Sequence, residues 1–82
     1  IEEAIEIAND SDFGLAAAIF GPTEQAKRVS ESLRVGSVYI NGGGSIRIDA
    51  PMGGFKQSGI GREYGEAGIA EYFEPQHVQW AV

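Results

Sequence analysis

Two β-forming runs, LAAAIF (residues 15–20) and SVYIN (residues 37–41), enclose one short helical pattern. That arrangement sets most of what this chain can fold into. LAAAIF is a continuous apolar run bounded by Gly14 and Gly21, too short for a stable helix, and it reads as a strand covered on both faces. Pro22 stops it, and Thr23 offers a helix cap. Ala26, Val29 and Leu33 make the apolar stripe of the next helix, and Gly36 stands where a C-terminal helix glycine belongs. Strand, helix and strand within about 25 residues form a βαβ unit, which demands parallel strands and a right-handed crossover.

The remaining segments are simpler. Ile1, Ala4, Ile5 and Ala8 recur at helical spacing, with Glu2, Glu3 and Glu6 on the opposite face. NDSDFG then supplies turn residues; Asp10 and Asp12 serve there as helix-end and turn chemistry rather than as catalysts. Residues 42–61 show no periodicity, and aperiodic loops of this length in a small domain are functional or disordered. A helix is expected from about Arg62 to Phe73. Gly65 and Gly68 weaken it by about 1 kcal/mol each relative to Ala, which suggests that another backbone packs closely there. Finally, HVQWAV alternates Val78, Trp80 and Val82 against His77, Gln79 and Ala81, a half-exposed strand pattern.

Composition narrows the function. With 82 residues there is room for one small domain or part of a larger one. A net charge of −6 argues against nucleic acid and anionic membrane as partners. No cysteine is present, so disulfides, thiolate metal sites and thiol nucleophiles are excluded from this chain. No apolar run approaches the roughly 20 residues of a membrane span, and the acidic first residues do not resemble a signal peptide. The missing initial Met and the start within a helical pattern point to a truncated chain, and cytoplasm is the default compartment.

The glycines of APMGGFKQSGIGREYGEAG (residues 50–68) raise the question of phosphate binding. A phosphate loop needs Lys directly after its last Gly, whereas Lys56 follows Phe55. A dinucleotide loop through Gly59 and Gly61 needs a third Gly where Tyr64 stands. His77, the single histidine, lies in the terminal strand pattern and reads as a surface residue. The loop nevertheless leaves the carboxyl end of a strand, where ligands bind in open α/β sheets. Ile46, Ile48 and Met52 give it an apolar surface. Two readings stand open for that surface: a ligand wall, or a face packed on a neighbour.

IANDSDFGLAAAIF, RVGSVYIN and APMGGFKQSGIGREYGEAGIAEYFEPQHV, in this order and without gaps, resemble the C-terminal portion of NAD(P)-dependent aldehyde dehydrogenases. The run from Pro51 to Gly65 is the most specific part of the likeness. It implies an α/β fold, part of a three-layer domain with a βαβ unit, a long Gly-rich loop, a C-terminal helix and a terminal bridging strand. Residues 1–74 would be the end of the catalytic domain and residues 75–82 the oligomerisation strand. In such enzymes a Cys attacks the aldehyde, hydride passes to NAD or NADP, and a Glu activates water, the general logic of covalent catalysis. This chain has no Cys, so the resemblance implies that it is inactive alone and binds no cofactor by itself.

Residue by residue, the resemblance puts Leu15 near the nicotinamide end of the cofactor, and Ile46 and Met52 along the aldehyde tunnel. Many relatives carry aromatic residues at these two positions, so aliphatic ones imply a wider pocket. Lys56 and Gly59 match a loop where some betaine-aldehyde-type members hold a potassium ion through main-chain carbonyls, which suit a hard cation. Glu63 matches a proton-relay Glu; its bland alternative is a first-turn Glu favoured by the helix dipole. Glu74 matches an ion-pairing position near the subunit interface, with Arg62 as its local partner. Partners implied are a second copy or the rest of the parent enzyme through the terminal strand, and an aldehyde substrate. The competing reading is a free-standing, self-associating interaction module.

Overall fold

The computed structural model describes residues 1–81. In chain order it contains α1 (Glu2–Asn9), β1 (Phe13–Gly14), β2 (Ala16–Ile19), α2 (Thr23–Ser30), β3 (Ser37–Ile40), β4 (Phe55–Lys56) and α3 (Gly65–Ala70). The βαβ unit forms as expected. β2 and β3 pair in parallel, from Ala16 opposite Ser37 to Ile19 opposite Ile40, with α2 as the crossover. β1 pairs antiparallel with β4, Phe13 opposite Lys56 and Gly14 opposite Phe55. The class is α/β, with small sheets and helices.

α1 and α2 begin where the apolar spacing placed them, and both border one groove. Ile1, Ala4, Ile5 and Ala8 of the α1 stripe and Ala26, Val29 and Leu33 of the α2 stripe line one groove, floored by β2. Ala26 is the only hydrophobic side chain buried among the described residues, at 2% exposure.

Several local expectations need correction. β2 is not covered on both faces: Ala16 and Ala18 are exposed and Phe20 is 76% exposed, because a two-stranded sheet provides no second layer there. The α2 N-cap is Pro22 (φ −56°), and Thr23 is already helical. Gly36 does not end α2, which stops at Ser30; it sits instead beside β1, donating its N–H to the Gly14 carbonyl at 3.0 Å. A Cβ on Gly36 would run into the Gly53 carbonyl, so glycine is needed there for backbone-on-backbone packing. The long loop is not wholly irregular, since it contains β4 and a bridge at Met52. α3 starts three residues later than expected and is only 6 residues long.

The terminal segment forms no strand among the described residues. An isolated strand has no ladder partner for its N–H and C=O groups, so the alternating pattern alone cannot make one. Val78 and Trp80 are exposed there, and Val82 lies outside the described residues.

Candidate functional site

The site begins where β3 ends. Asn41 takes a left-handed conformation (φ 57°), which Asn tolerates better than most side chains. Its side chain makes two hydrogen bonds to one residue: Oδ1 accepts from Gly21 N–H at 2.9 Å, and Nδ2 donates to the Gly21 carbonyl at 3.0 Å. Asn41 N–H also donates to Ile19 O at 2.8 Å. The pairing of β2 and β3 is thereby extended by a side chain, and the chain turns out of the sheet into the loop. Within that loop Arg47 forks onto Asp49, with both contacts at 2.9 Å. The guanidinium holds the exposed Asp49 carboxyl below its ordinary value, first through the hydrogen bond and then through charge.

The next stretch returns to the body of the molecule and is pinned at many points. Lys56 Nζ donates to the carbonyls of Asn9 (2.8 Å) and Ser11 (3.1 Å), closing the C-terminal end of α1, whose own last turn has no basic residue. Gln57 N–H donates to Asp12 O at 2.8 Å, and Gly14 N–H donates to Ser58 Oγ at 2.9 Å. The Arg62 guanidinium donates to the carbonyls of Gly61 (2.7 Å) and Gly54 (3.1 Å), closing the turn between them. Phe55 carries two guanidinium groups near its ring, Arg34 at 5.0 Å and Arg62 at 5.6 Å, a cation–π arrangement.

Met52 and Glu63 form an antiparallel bridge, each N–H donating to the other's carbonyl at 2.8 Å. Directly opposed residues of an antiparallel pair project to the same face, so this bridge puts both side chains on one side. Tyr64 follows at φ 62° and ψ 156°, a region essentially reserved for glycine, at a cost of about 1–3 kcal/mol. Gly65 then donates its N–H to the Ile48 carbonyl at 3.0 Å. Residues 63–65 are therefore tied twice to residues 48–52.

These contacts create a cleft of about 380 Å³. Leu15, Met52, Gly59 and Glu63 all line it, together with Arg62 and Ser58. Four of the residues singled out in the sequence thus converge. Ile46 does not join them: it is 63% exposed and lines neither this cleft, nor the groove at Tyr64, nor the groove between α1 and α2. Ile48 lines the adjoining groove beneath Tyr64. The Lys56 side chain points away to α1, leaving only its main chain near Gly59.

Two side-chain roles differ from the sequence reading. Glu63 is not a first-turn helical residue, because α3 begins at Gly65. Arg62 does not pair with Glu74; its guanidinium is spent on carbonyls, and its N–H donates to Glu71 Oε1 at 3.1 Å. The sequence reading also missed Asn41, Ser58 and Tyr64. Only Asn41 carried a usable signal, an αL-tolerant residue between a strand and a Gly run.

Gly53, Gly65 and Gly68 of the run serve close backbone packing, whereas Gly59 and Gly61 take positive φ with no close neighbour. A Cβ on Gly68 would lie 2.7 Å from the Glu63 carbonyl carbon, and one on Gly53 would lie 2.5 Å from Gly61 O. No phosphate cradle is built from them. For a cation, the Lys56 and Gly59 carbonyls would supply two oxygens of the roughly 6–8 that hard cations take. Among the described residues there is also no group of His, Cys, Asp and Glu able to hold a metal.

Comparison with known proteins agrees with the sequence motifs. The profile of the aldehyde dehydrogenase family matches residues 1–78. The chain is 49% identical over 78 residues to betaine aldehyde dehydrogenase of Bacillus subtilis, covering 94% of this chain and 16% of that protein. It is 47% identical over 79 residues to retinal dehydrogenase 2 of Gallus gallus, covering 95% of this chain and 15% of that one. The crystal structure of betaine aldehyde dehydrogenase from Staphylococcus aureus in complex with NAD+ superposes with a TM-score of 0.84 at 44% identity, over 99% of this chain and 18% of that one. The chain spans about one-sixth of the length of the relatives it matches.

Proposed function

The chain belongs to the aldehyde dehydrogenase family, and from that premise we propose that its cleft forms one wall of the substrate channel in an NAD(P)-dependent aldehyde dehydrogenase. The observation that carries this reading is the convergence of Leu15, Met52, Gly59 and Glu63 on one cleft. Bound NAD or NADP would supply the hydride acceptor; structures of relatives with NAD+ support that choice. The reacting thiol has to come from outside these 82 residues, which contain no Cys.

Within this frame the chain's own residues divide the work. Met52 and Leu15 offer aliphatic surface against which the carbon chain of an aldehyde packs and water is displaced. Aliphatic side chains set the width of the channel without fixing a ring plane. Glu63, on the same face as Met52, is placed to accept a proton at its carboxylate and pass it to solvent. A monovalent cation touching the Lys56 and Gly59 carbonyls would stiffen the same turn. A second copy, or the rest of the enzyme, would cover the terminal segment.

The test is made in the full-length enzyme carrying this segment. Met52→Trp is expected to reorder short and long aldehydes by kcat/KM, disfavouring the bulkier ones by roughly tenfold, the scale of one pocket contact. An unchanged ranking removes Met52 from the channel. The 82-residue chain alone is expected not to reduce NAD or NADP with any aldehyde, and reduction above a denatured control would contradict that.

A further inference from the structure

Glu63 is held from three directions, and each hold is main-chain. Its N–H and carbonyl are both used by Met52, at 2.8 Å each. Its C-terminal neighbour Tyr64 sits at φ 62° and ψ 156°, where a Cβ leaves few alternatives once the flanking bonds are made. Behind it, Gly68 of α3 packs so closely that an added Cβ would meet the Glu63 carbonyl carbon at 2.7 Å and its Cα at 3.1 Å. The neighbour there is backbone, which cannot swing aside as a side-chain tip can. Gly68 is buried, and Gly65 N–H anchors the same segment to Ile48 O at 3.0 Å.

Local economy does not explain this arrangement. Alanine would suit the interior of α3 better than Gly68, and glycine would suit the backbone at position 64 better than Tyr. Both choices run against local preference, and both act on the same residue. Strained or unfavourable backbone choices persist where the surroundings over-determine them, and they gather at functional positions.

We propose that Gly68 and Tyr64 are positioning residues for the Glu63 carboxylate, and that the Met52–Glu63 bridge makes the aldehyde-facing side chain and that carboxylate one mechanical unit. The proposal rests on the reading of Glu63 as a proton relay given above. Moving the Glu63 backbone moves the carboxylate relative to the reacting atoms and shifts Met52 with it. Keeping both in register is what the bridge achieves.

The experiment is a double-mutant cycle in the full-length enzyme, with kcat and its solvent deuterium isotope effect measured at saturating cofactor and aldehyde. Glu63→Gln alone is expected to lower kcat by about 100-fold, the lower end of what a positioned acid–base group contributes. Gly68→Ala alone is expected to lower kcat by roughly 10- to 100-fold, as a misplacement of about 1 Å can. If Gly68 acts through Glu63, the double variant should match Glu63→Gln within about twofold. Losses that multiply, or a Gly68→Ala enzyme with normal kcat, would overturn the positioning role while leaving the relay intact. Normal kcat in Glu63→Gln would overturn the relay itself and the proposal with it, a distinguishable result. Should Gly68→Ala fail to fold, Tyr64→Gly carries the same cycle, because glycine adopts that backbone freely; its loss must likewise vanish in the Glu63→Gln background.

Discussion

At the scale of single residues, Asn41 shows how much one side chain can settle. It makes two hydrogen bonds to Gly21, keeps a positive φ, and so fixes both the exit of β3 and the entry to α2. Asn41→Ala removes both bonds and puts a Cβ-bearing residue with no compensating contact into the left-handed region. The expected loss is about 1–3 kcal/mol, from the sum of the hydrogen-bond and conformational terms. Asn41→Gly keeps the conformation and loses only the bonds, so it should cost less, about 1 kcal/mol. Denaturant midpoints of the two variants would decide this; equal losses would mean the positive φ is costless here. In the sequence Asn41 was readable as a strand end before a Gly run, but its partner was not. Its bonds join positions 20 residues apart, and no local pattern announces a contact of that separation. Met52, Leu15, Gly59 and Glu63 were legible because a family motif marks them. Their convergence was not, because it depends on a bridge between two stretches that carry no alternation.

At the scale of elements, periodicity was a good guide where a whole face of a helix repeats and a poor one where glycine interrupts it. α1 falls where its apolar stripe placed it, α2 starts as its stripe placed it but stops at Ser30, before Leu33, and the parallel pairing of β2 with β3 follows from a crossover too long for a hairpin. α3 starts later than its pattern because Tyr64, at φ 62° and ψ 156°, cannot continue the helix backwards. β4 was invisible: two residues pair with β1 only because Lys56, Gln57 and Ser58 are pinned to residues 9–14. The same dependence on close approach makes Gly36 a sensitive position. Its backbone lies against that of Gly53, so Gly36→Ala forces the cleft loop away from β3. Overpacking of this kind typically costs about 1–3 kcal/mol. In the full-length enzyme the expected result is a lowered melting temperature and a raised KM for aldehyde, since Gly53 lines the cleft. A variant with both values unchanged would show that the two backbones are not in contact.

At the scale of the whole molecule, many large apolar side chains among the described residues stay exposed while Ala26 alone is buried. Its radius of gyration is 16.9 Å with extents of 61 × 25 × 22 Å, against roughly 12 Å for a compact domain of this length. Ile1, Ile7, Phe13, Phe20, Phe73 and Trp80 are each more than 60% exposed. Such surface calls for a cover. We propose that the remainder of a longer enzyme, or a second copy, would cover the groove between α1 and α2 and the terminal segment. That segment has the features of an unprotected edge: Val78 and Trp80 are exposed, and residues 77–81 contain neither Lys nor Pro. Burying a Trp and a Val could contribute several kcal/mol, at about 1.5–3 kcal/mol for each large apolar side chain. The isolated chain is therefore expected to self-associate, with light scattering after size exclusion showing a dimer or larger species. Removing residues 77–82 should shift it toward monomer, because it takes away the Val and Trp together with their free backbone groups. A truncated chain that associates as strongly as the intact one would move the interface to the α1–α2 groove. A clean monomer of the intact chain at tens of micromolar, where exposed apolar surface ordinarily drives association, would end the argument for either surface.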